Sequence, residues 1–315
     1  MKFALIVCIL TLIILSVLGL ILSLLLITNS EALSETYKNK FNCNSTGCPN
    51  IPIDITYKEV TPSFNNKNFN KKIASYCIQL INVIYYSDKK KYDYMKFTGL
   101  KHELTVNDFK TNKLDFGVIW RNETNKTIWI TFRGTYNLKE WYNNFKISQT
   151  SYNDYNGVKT NLPSFIQEDK DNIKIHTGML ETYSNCSKVI LDYLEKYKDE
   201  YNIILSGHSL GASIASIFSI ELNYKGYKTV SYLYGCPRLG NERFCEKSKN
   251  IYRIENTADV IPTVPTSVSP NFLEPSKPYF YYHCGNLFSF TLNLKSLHNN
   301  HSLEAYNVYI KQLPD

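Results

Sequence analysis

The sequence lacks the patterns that mark several classes of protein. Glycine is scarce, with 13 residues in a chain of 315, and there is no internal repeat, so collagen-like and repetitive architectures are excluded. The CxxC and HExxH motifs are absent, so we expect no zinc site, and nothing in the chain points to another metal or cofactor. No segment interleaves basic and aromatic residues as nucleic-acid-binding motifs do, so we expect no nucleic-acid partner.

What is present has the balance of a globular protein, with 43% hydrophobic and 20% charged residues. Lysine and arginine exceed aspartate and glutamate by 35 − 28 = 7, and this mild excess is spread along the chain. The lysine runs at 71–72 and 89–91 are therefore interpreted as solvated surface rather than as a binding site for an anionic surface.

An apolar run without a charged residue extends from Phe3 to Ile27. A bilayer-spanning helix needs about 20 residues, whereas a secretory hydrophobic region has about 7–15. The run is long enough to span, and the charge of Lys2 lies on its N-terminal side. We therefore predict a signal-anchor at residues 1–27, with the N-terminus cytoplasmic and the body lumenal or extracellular. The alternative is a signal peptide cleaved near residues 30–32, which gives a secreted protein.

Cysteines and glycosylation sequons are consistent with entry into the secretory pathway. One of the eight cysteines, Cys8, lies in the apolar run, and the odd number beyond it leaves at least one unpaired within the chain. Cys43 and Cys48 enclose turn-forming residues and could close a small loop. N-x-S/T sequons, some of them accidental in a chain rich in asparagine, occur at Asn44, Asn122, Asn125, Asn185 and Asn300.

The rest of the chain divides into a polar segment at 28–70, predicted to be a stalk or loose wrap, and a domain at 71–315. In the domain, β-rich runs alternate with amphipathic helices, which predicts an α/β fold with a mostly parallel sheet flanked by helices. The predicted elements are a helix at 71–87, a hairpin of Leu114–Trp120 with Thr127–Arg133, helix Met179–Glu200, strand Asn202–Ser206, helix Leu210–Asn223, strands Thr229–Tyr234 and Ile251–Glu255, an aromatic strand Tyr279–Tyr282, and helix Ser302–Ile310.

One turn between a strand and a helix has the sequence G-x-S-x-G. It runs from Gly207 through His208, Ser209 and Leu210 to Gly211. In such a nucleophile elbow the serine stands on a sharp, strained turn, and the small neighbours let strand and helix approach each other. We therefore predict Ser209 to be a nucleophile exposed at the carboxyl end of the sheet.

A serine nucleophile needs a base and an acid, which in α/β hydrolases follow it along the chain in the order acid, then histidine. Asp259 comes directly after the predicted strand Ile251–Glu255, where a triad acid belongs. Glu255 and Glu274 are weaker alternatives. We predict that Asp259 orients the base.

Three histidines lie downstream of Ser209. His301 precedes a helical stretch, which suits a loop that reaches back to the serine, and we predict it to be the general base. His298 is the alternative base. His283 lies in the aromatic strand and is interpreted as structural.

The oxyanion of an acyl-transfer reaction needs two preorganised donors. One is predicted to be the backbone N–H of Leu210, which follows the nucleophile. The other is predicted to be the backbone N–H of Thr135, because a β-rich run ends there in a glycine turn at Gly134.

The segments described above, together with three others that are listed below, resemble the class 3 lipases, the fungal triacylglycerol lipase family of α/β hydrolases. The resemblance covers roughly residues 114–310. Ala212 replaces a glycine common in the family, and the N-terminal anchor and stalk depart from the secreted fungal pattern. The matching segments are Thr131–Thr135, Glu140–Trp141, His176–Met179, Gly207–Ala212, Tyr234–Asn241, Asn256–Pro265 and Asn300–Tyr306.

The resemblance implies roles for particular residues. The family's nucleophile, acid and base fall on Ser209, Asp259 and His301, and its oxyanion residue falls on Thr135. The Cys43–Cys48 loop is similar to a small disulfide loop of some members. The family's lid falls on a helical stretch after the oxyanion loop, whose apolar face would cover the site in water and open on lipid; the alternative is an ordinary core helix. The residues of that face are Leu138, Trp141, Tyr142 and Phe145.

The function implied is hydrolysis of acylglycerols at a lipid–water interface through an acyl-enzyme, by a protein that is held in a membrane or secreted. A phospholipase A1 or a carboxylesterase of soluble substrates would use the same triad. A non-catalytic, membrane-anchored binding protein is the alternative from a different class, and the intact set of Ser209, Asp259, His301 and Thr135 argues against it. The sequence leaves the oligomeric state open.

Overall fold

A computed structural model describes residues 69–85, 99–107, 115–135, 148–155, 161–271 and 273–313. The predicted anchor, the stalk up to residue 68, the Cys43–Cys48 loop and the predicted lid with Leu138, Trp141, Tyr142 and Phe145 lie outside the described residues. Over the described ranges, no helix combines the length and the apolar character that crossing a membrane requires.

The described residues form eleven strands. They are β1 Lys101–Asn107, β2 Asp115–Asn122, β3 Thr127–Phe132, β4 Gln149–Thr150, β5 Ile175–His176, β6 Asn202–His208, β7 Thr229–Tyr234, β8 Ile251–Asn256, β9 Val268–Ser269, β10 Tyr279–Phe280 and β11 Asn286–Phe290.

The same residues form six α-helices and three short 3₁₀ helices. The α-helices are α1 Lys71–Tyr85, α2 Thr177–Leu194, α3 Leu210–Tyr224, α4 Glu242–Cys245, α5 Leu297–Asn300 and α6 Leu303–Gln312. The 3₁₀ helices are Ser164–Gln167, Glu195–Tyr197 and Ile261–Thr263.

Seven strands make one sheet, in the order β1-β2-β3-β6-β7-β8-β11. The hairpin partners β2 and β3 are antiparallel, as is β1 with β2. From β3 to β11 every neighbouring pair is parallel. The carboxyl ends of β3, β6, β7 and β8 therefore meet at one edge, and the loops that leave this edge carry the predicted site residues. The expected mostly parallel sheet flanked by helices is confirmed.

Helices cover both faces of the sheet, and strand β3 shows the division. Phe132 stacks on Phe218 of α3, with ring centroids 5.6 Å apart. Trp129 makes an edge contact with Tyr76 of α1, with centroids 5.2 Å apart. Because successive side chains of a strand point to opposite faces, α1 and α3 lie on opposite sides of the sheet. All residues of β2, β3 and β7 are buried, as expected for strands covered on both faces.

Two predicted elements end earlier than expected. Helix α2 stops at Leu194, and the next turn is the 3₁₀ helix Glu195–Tyr197, because the chain must reverse within a few residues to enter β6. The aromatic strand expected at 279–282 pairs only at Tyr279–Phe280. After it, Tyr282 forms an isolated bridge to Gly240.

A disulfide joins Cys245 at the end of α4 to Cys284 just before β11. It links two segments that the sequence pattern left unpaired. Three further cysteines, Cys77, Cys186 and Cys236, are free and buried.

Candidate active site

Ser209 stands alone between β6, which ends at His208, and α3, which begins at Leu210. Its backbone has φ 57° and ψ −125°, a left-handed conformation that a residue with a side chain seldom adopts. Its N–H donates to the carbonyl of Tyr234 at the end of β7, 3.0 Å away. The turn therefore holds a strained serine, half-buried, at the carboxyl edge of the sheet.

The two glycines of this turn lie against backbone that leaves no room for a side chain. A Cβ at Gly207 would be 2.3 Å from the carbonyl oxygen of Gly211. A Cβ at Gly211 would be 2.3 Å from the carbonyl oxygen of Arg133 and 2.6 Å from that of Phe132. The start of α3 thus packs directly on the end of β3, which brings Ser209 beside the turn at residues 133–135.

The predicted acid and base are in contact. Nδ1 of His301 and Oδ2 of Asp259 are 2.5 Å apart. Asp259 is 2% exposed, while the His301 side chain remains 18% exposed. The buried carboxylate can therefore fix the ring, and the ring can reach a group arriving from solvent.

Asp259 has two further donors. The Tyr306 hydroxyl of α6 donates to the same Oδ2 at 2.5 Å, and the Ile261 N–H donates to Oδ1 at 2.9 Å. Burial raises the pKa of Tyr306 well above its usual value, so this hydroxyl stays protonated and available as a donor. Three hydrogen bonds thus satisfy a carboxylate that burial alone would penalise.

A pair of asparagines ties the acid loop to the base loop. The Asn256 amide donates to the carbonyls of Leu292 and Asn300. The Asn300 amide in turn donates to the Ala258 carbonyl at 3.0 Å, and its oxygen accepts the Leu294 N–H at 2.7 Å. The residues that flank Asp259 and His301 are therefore bonded to each other, independently of the acid–base contact itself.

The end of β7 lies against both Ser209 and His301. Gly235 follows Tyr234, the residue that accepts the Ser209 N–H, and it has φ +56°. A Cβ at Gly235 would lie 2.9 Å from Cε1 of His301 and 3.0 Å from Oδ2 of Asp259. The strand end that anchors the serine turn therefore packs on the acid–base pair. The structure brings Ser209, Asp259 and His301 to one place, and their roles stay predictions.

The predicted oxyanion turn lies against the same serine. A Cβ at Gly134 would be 2.9 Å from the Cβ of Ser209. Arg133, fully buried, clamps this turn by donating to the carbonyls of Asp115 and Gly134, at 2.6 Å each. Thr135 follows as the last described residue of the segment. At the serine, the Leu210 N–H is the first of α3, where helical N–H groups lack partners within the helix.

The alternative bases and acids have other surroundings. Burial, with Arg253 and Arg238 adding to it, lowers the pKa of His283 to about 3. His283 lies 3.7 Å from Glu255, a carboxylate that Arg253 already holds. A ring that resists protonation to this extent is a poor base, which agrees with the structural interpretation.

The alternative base His298 and the alternative acid Glu274 lie in surroundings unlike those of His301 and Asp259. His298 belongs to the short helix α5, half-buried, where burial and then His301 lower its pKa. Glu274 is exposed and paired with Lys277. His176, the first residue of the matching segment His176–Met179, caps α2 by accepting the Met179 N–H on its Nδ1.

The sequence pattern assigns no role to several residues of this site. Tyr306 was visible only as the end of the matching segment Asn300–Tyr306, and Arg133 as part of Thr131–Thr135. Asn256 was visible only as the start of the matching segment Asn256–Pro265. Their roles depend on contacts between segments far apart in the chain.

The arrangement suits acyl transfer: a strained serine, a histidine fixed by a buried carboxylate, and backbone N–H groups at a helix start and a glycine turn. The described part of the chain contains no group of three or more histidine, cysteine, aspartate or glutamate side chains placed to hold a metal ion.

The fold and a resemblance to one family emerge from comparison with known proteins. Residues 129–269 match the class 3 lipase family model. A solved mono- and diacylglycerol lipase of Aspergillus oryzae superposes with a TM-score of 0.54 at 21% identity, covering 75% of this chain and 86% of that one. A solved Rhizomucor miehei lipase gives a TM-score of 0.52 at 21% identity, with 72% and 83% covered. The fold is that of the α/β hydrolases, and the resemblance to class 3 lipases is confirmed.

Among curated relatives, the secreted mono- and diacylglycerol lipase A of Penicillium camembertii is 24% identical over 196 residues, which are 60% of this chain and 59% of that relative. The lipase of Rhizomucor miehei is 26% identical over 177 residues, 52% of this chain and 44% of the relative. The chain thus spans about half the length of the curated relatives it matches.

Proposed function

Because residues 129–269 match the class 3 lipase family model, we propose that this chain is a serine ester hydrolase of lipids, acting on triacylglycerols or partial acylglycerols. The observation that carries the proposal is the 2.5 Å contact between His301 Nδ1 and Asp259 Oδ2, beside a serine held at φ 57°. The names of the secreted mono- and diacylglycerol lipases among its relatives support the substrate class.

In the first half-reaction, Ser209 Oγ attacks the ester carbonyl while His301 Nε2 takes the hydroxyl proton. Asp259 holds Nδ1–H and stabilises the imidazolium that forms. The tetrahedral intermediate collapses as His301 returns the proton to the leaving alkoxide, which departs as the alcohol and leaves Ser209 acylated. In the second half-reaction a water takes the place of the alcohol and releases the fatty acid.

Charge develops on the carbonyl oxygen in both half-reactions. We assign the backbone N–H groups of Leu210 and Thr135 as its donors. The close packing of Gly134 on Ser209 supports this assignment, because donors that are already in place need not reorganise during the reaction.

Whether the protein acts on dissolved substrate or on a lipid surface depends on segments outside the described residues. We propose that the apolar face of Leu138, Trp141, Tyr142 and Phe145 is a lid over the site. We further propose that residues 1–27 tether the domain at 71–315 to a membrane through the polar segment 28–70. The secreted relatives are consistent with the alternative, in which residues 1–27 are removed and the domain is released.

A substrate panel tests the proposed activity: tributyrin, triolein, phosphatidylcholine and a soluble p-nitrophenyl ester, each assayed with the wild-type chain and with Ser209→Ala. Hydrolysis of acylglycerols by the wild type alone supports the proposal. Preference for phosphatidylcholine would make the chain a phospholipase A1 on the same triad, and preference for the soluble ester a carboxylesterase. A wild-type chain inactive on all four would contradict it.

A further inference from the structure

The ring of His208, the residue before Ser209, is bonded at both nitrogens. Nε2 lies 2.8 Å from the backbone carbonyl oxygen of His301, and Nδ1 lies 2.8 Å from the Tyr85 hydroxyl. A carbonyl oxygen can only accept, so Nε2 carries the proton. In the neutral ring Nδ1 is then the acceptor, and Tyr85 donates to it.

The Tyr85 hydroxyl has a second partner. The Gly134 N–H donates to it at 2.7 Å. Only a glycine permits this approach, since a Cβ at position 134 would be 2.4 Å from the Tyr85 oxygen. Each group in this series therefore donates to the next: the Gly134 N–H donates to the Tyr85 oxygen, and the Tyr85 O–H donates to Nδ1 of His208. The His208 N–H then donates to the His301 carbonyl, and this series is hereafter the His208 relay.

The relay is built for a neutral His208. The ring is 5% exposed, and burial lowers the pKa of His208 well below its usual range, with the neighbouring His301 lowering it further. The rings of His208 and His301 lie 4.4 Å apart at an interplanar angle of 30°. A proton on Nδ1 would reverse the hydrogen bond to Tyr85 and make the hydroxyl oxygen accept from both Nδ1 and the Gly134 N–H, so only the neutral tautomer lets Tyr85 donate to His208.

The imidazole of His208 is thus connected to all three parts of the proposed site, namely the serine, the base and the oxyanion turn. It is joined to Ser209 through the chain, to His301 through the carbonyl, and to the Gly134–Thr135 turn through Tyr85. Each contact fixes backbone rather than a reacting atom. Helix α1, which carries Tyr85, contributes to the site in this way although none of its residues lies near the serine in sequence.

We propose that Tyr85 and His208 are positioning residues that hold the oxyanion turn in register with the general base through the His208 relay. The proposal rests on the proposed function, because it assigns a use to an oxyanion turn and a base. Misplacing an oxyanion donor weakens transition-state binding while leaving substrate binding intact, so the effect belongs in kcat rather than in KM.

The test compares Tyr85→Phe with the wild-type chain, at concentrations set by active-site titration. Tyr85→Phe keeps the ring but removes the donor to His208 and the acceptor of the Gly134 N–H. Losing a whole oxyanion donor costs roughly 10²–10³ in kcat, so we expect displacement of the turn to cost about tenfold to a hundredfold, with KM unchanged. Affinity for an alkylboronic acid, whose tetrahedral adduct mimics the oxyanion, should fall by the same factor.

Two substitutions of His208 distinguish its two hydrogen bonds, the one from Tyr85 and the one to the His301 carbonyl. Asn places an acceptor near the position of Nδ1, so His208→Asn retains the bond from Tyr85. Gln places a donor near the position of Nε2, so His208→Gln retains the bond to His301. Each should lose less activity than His208→Leu, and Tyr85→Phe combined with His208→Gln should lose less than the product of the two single losses.

Tyr309→Phe is the matched control, because Tyr309 lies on α6 with its ring stacked on Phe290, and it should match the wild type. The proposal is overturned if Tyr85→Phe keeps the wild-type kcat and boronate affinity per titrated site. The tautomer is tested without turnover. Imidazole ¹⁵N spectra should show His208 as the neutral Nε2–H form, and Tyr85→Phe should shift its Nδ1 resonance. A wild-type chain that hydrolyses no ester would instead refute the proposed function.

Discussion

Tyr306 and Asp259 are joined by a hydrogen bond of 2.5 Å, in which the tyrosine hydroxyl donates to the oxygen that also faces His301. Tyr306 is fully buried and lies on the helix that begins two residues after His301. The acid of the proposed triad is thus held by the element that follows the base. The carboxylate therefore contacts both the base and the helix that follows the base.

The first prediction is that Tyr306→Phe lowers kcat about tenfold with little change in KM. A hydrogen bond to a charged group contributes roughly 1.5–3 kcal/mol, and part of this holds Asp259 in place during proton transfer. Steady-state kinetics on tributyrin, normalised by active-site titration, measures the effect. Wild-type kcat in Tyr306→Phe would show that the tyrosine serves packing alone.

The second prediction concerns acid stability. The pKa of His283 is lowered to about 3 in the folded chain, against 6.5 for an unperturbed histidine. Between these values the unfolded chain binds the proton and the folded chain does not, so folded stability falls as the pH falls through this window. His283→Gln should therefore lose less stability than the wild type between about pH 6.5 and about pH 3, as measured by urea midpoints. Parallel losses in the two proteins would contradict the assignment.

The third prediction tests the lid. Burying one large apolar side chain contributes roughly 1.5–3 kcal/mol, so Trp141→Ser should weaken attachment to a lipid interface about tenfold or more. It should have much less effect on a short soluble ester. Rates measured on tributyrin across its solubility limit separate the two cases. Equal losses on both substrates would make the segment an ordinary core helix.

The fourth prediction uses the sequons to test topology. Asn185 is exposed on α2, whereas the side chains of Asn122 and Asn300 are buried and hydrogen-bonded. If the body enters the secretory lumen, Asn185 should carry a glycan and Asn300 should not. Endoglycosidase treatment should shift the wild type on a gel by one glycan more than Asn185→Gln. A body with no glycan at all would contradict lumenal placement.

The centre of the fold could be predicted from the sequence and its edges could not. Strands β3, β6 and β7 are covered on both faces, so their runs are almost continuously apolar and easy to recognise. Strands β1 and β11, at the two ends of the sheet formed by the described residues, mix polar and apolar residues, and their side chains are mostly exposed or half-buried. The sequence pattern assigned neither of them.

The candidate site divides in a similar way. Each residue of the proposed triad lies in a short segment whose local sequence pattern predicts a catalytic role. These residues are Ser209, Asp259 and His301. Tyr85 lies 123 positions from His208, and its contact exists only once α1 has packed on the sheet. The disulfide between Cys245 and Cys284 likewise depends on a Cα–Cα distance of 4.6 Å that spacing along the chain does not reveal.

The central claim is that Ser209 is the nucleophile of an ester hydrolase, with His301 rather than His298 as its base. The most direct measurement is labelling with a fluorophosphonate probe, read by mass spectrometry, alongside the rate of tributyrin hydrolysis. The account predicts a single adduct on Ser209 in the wild type, in the control Ser216→Ala and in His298→Ala. In Ser209→Ala both labelling and hydrolysis should be lost, the latter by about 10⁴–10⁶-fold. Hydrolysis at the wild-type rate by Ser209→Ala, or an adduct on another residue, would contradict it.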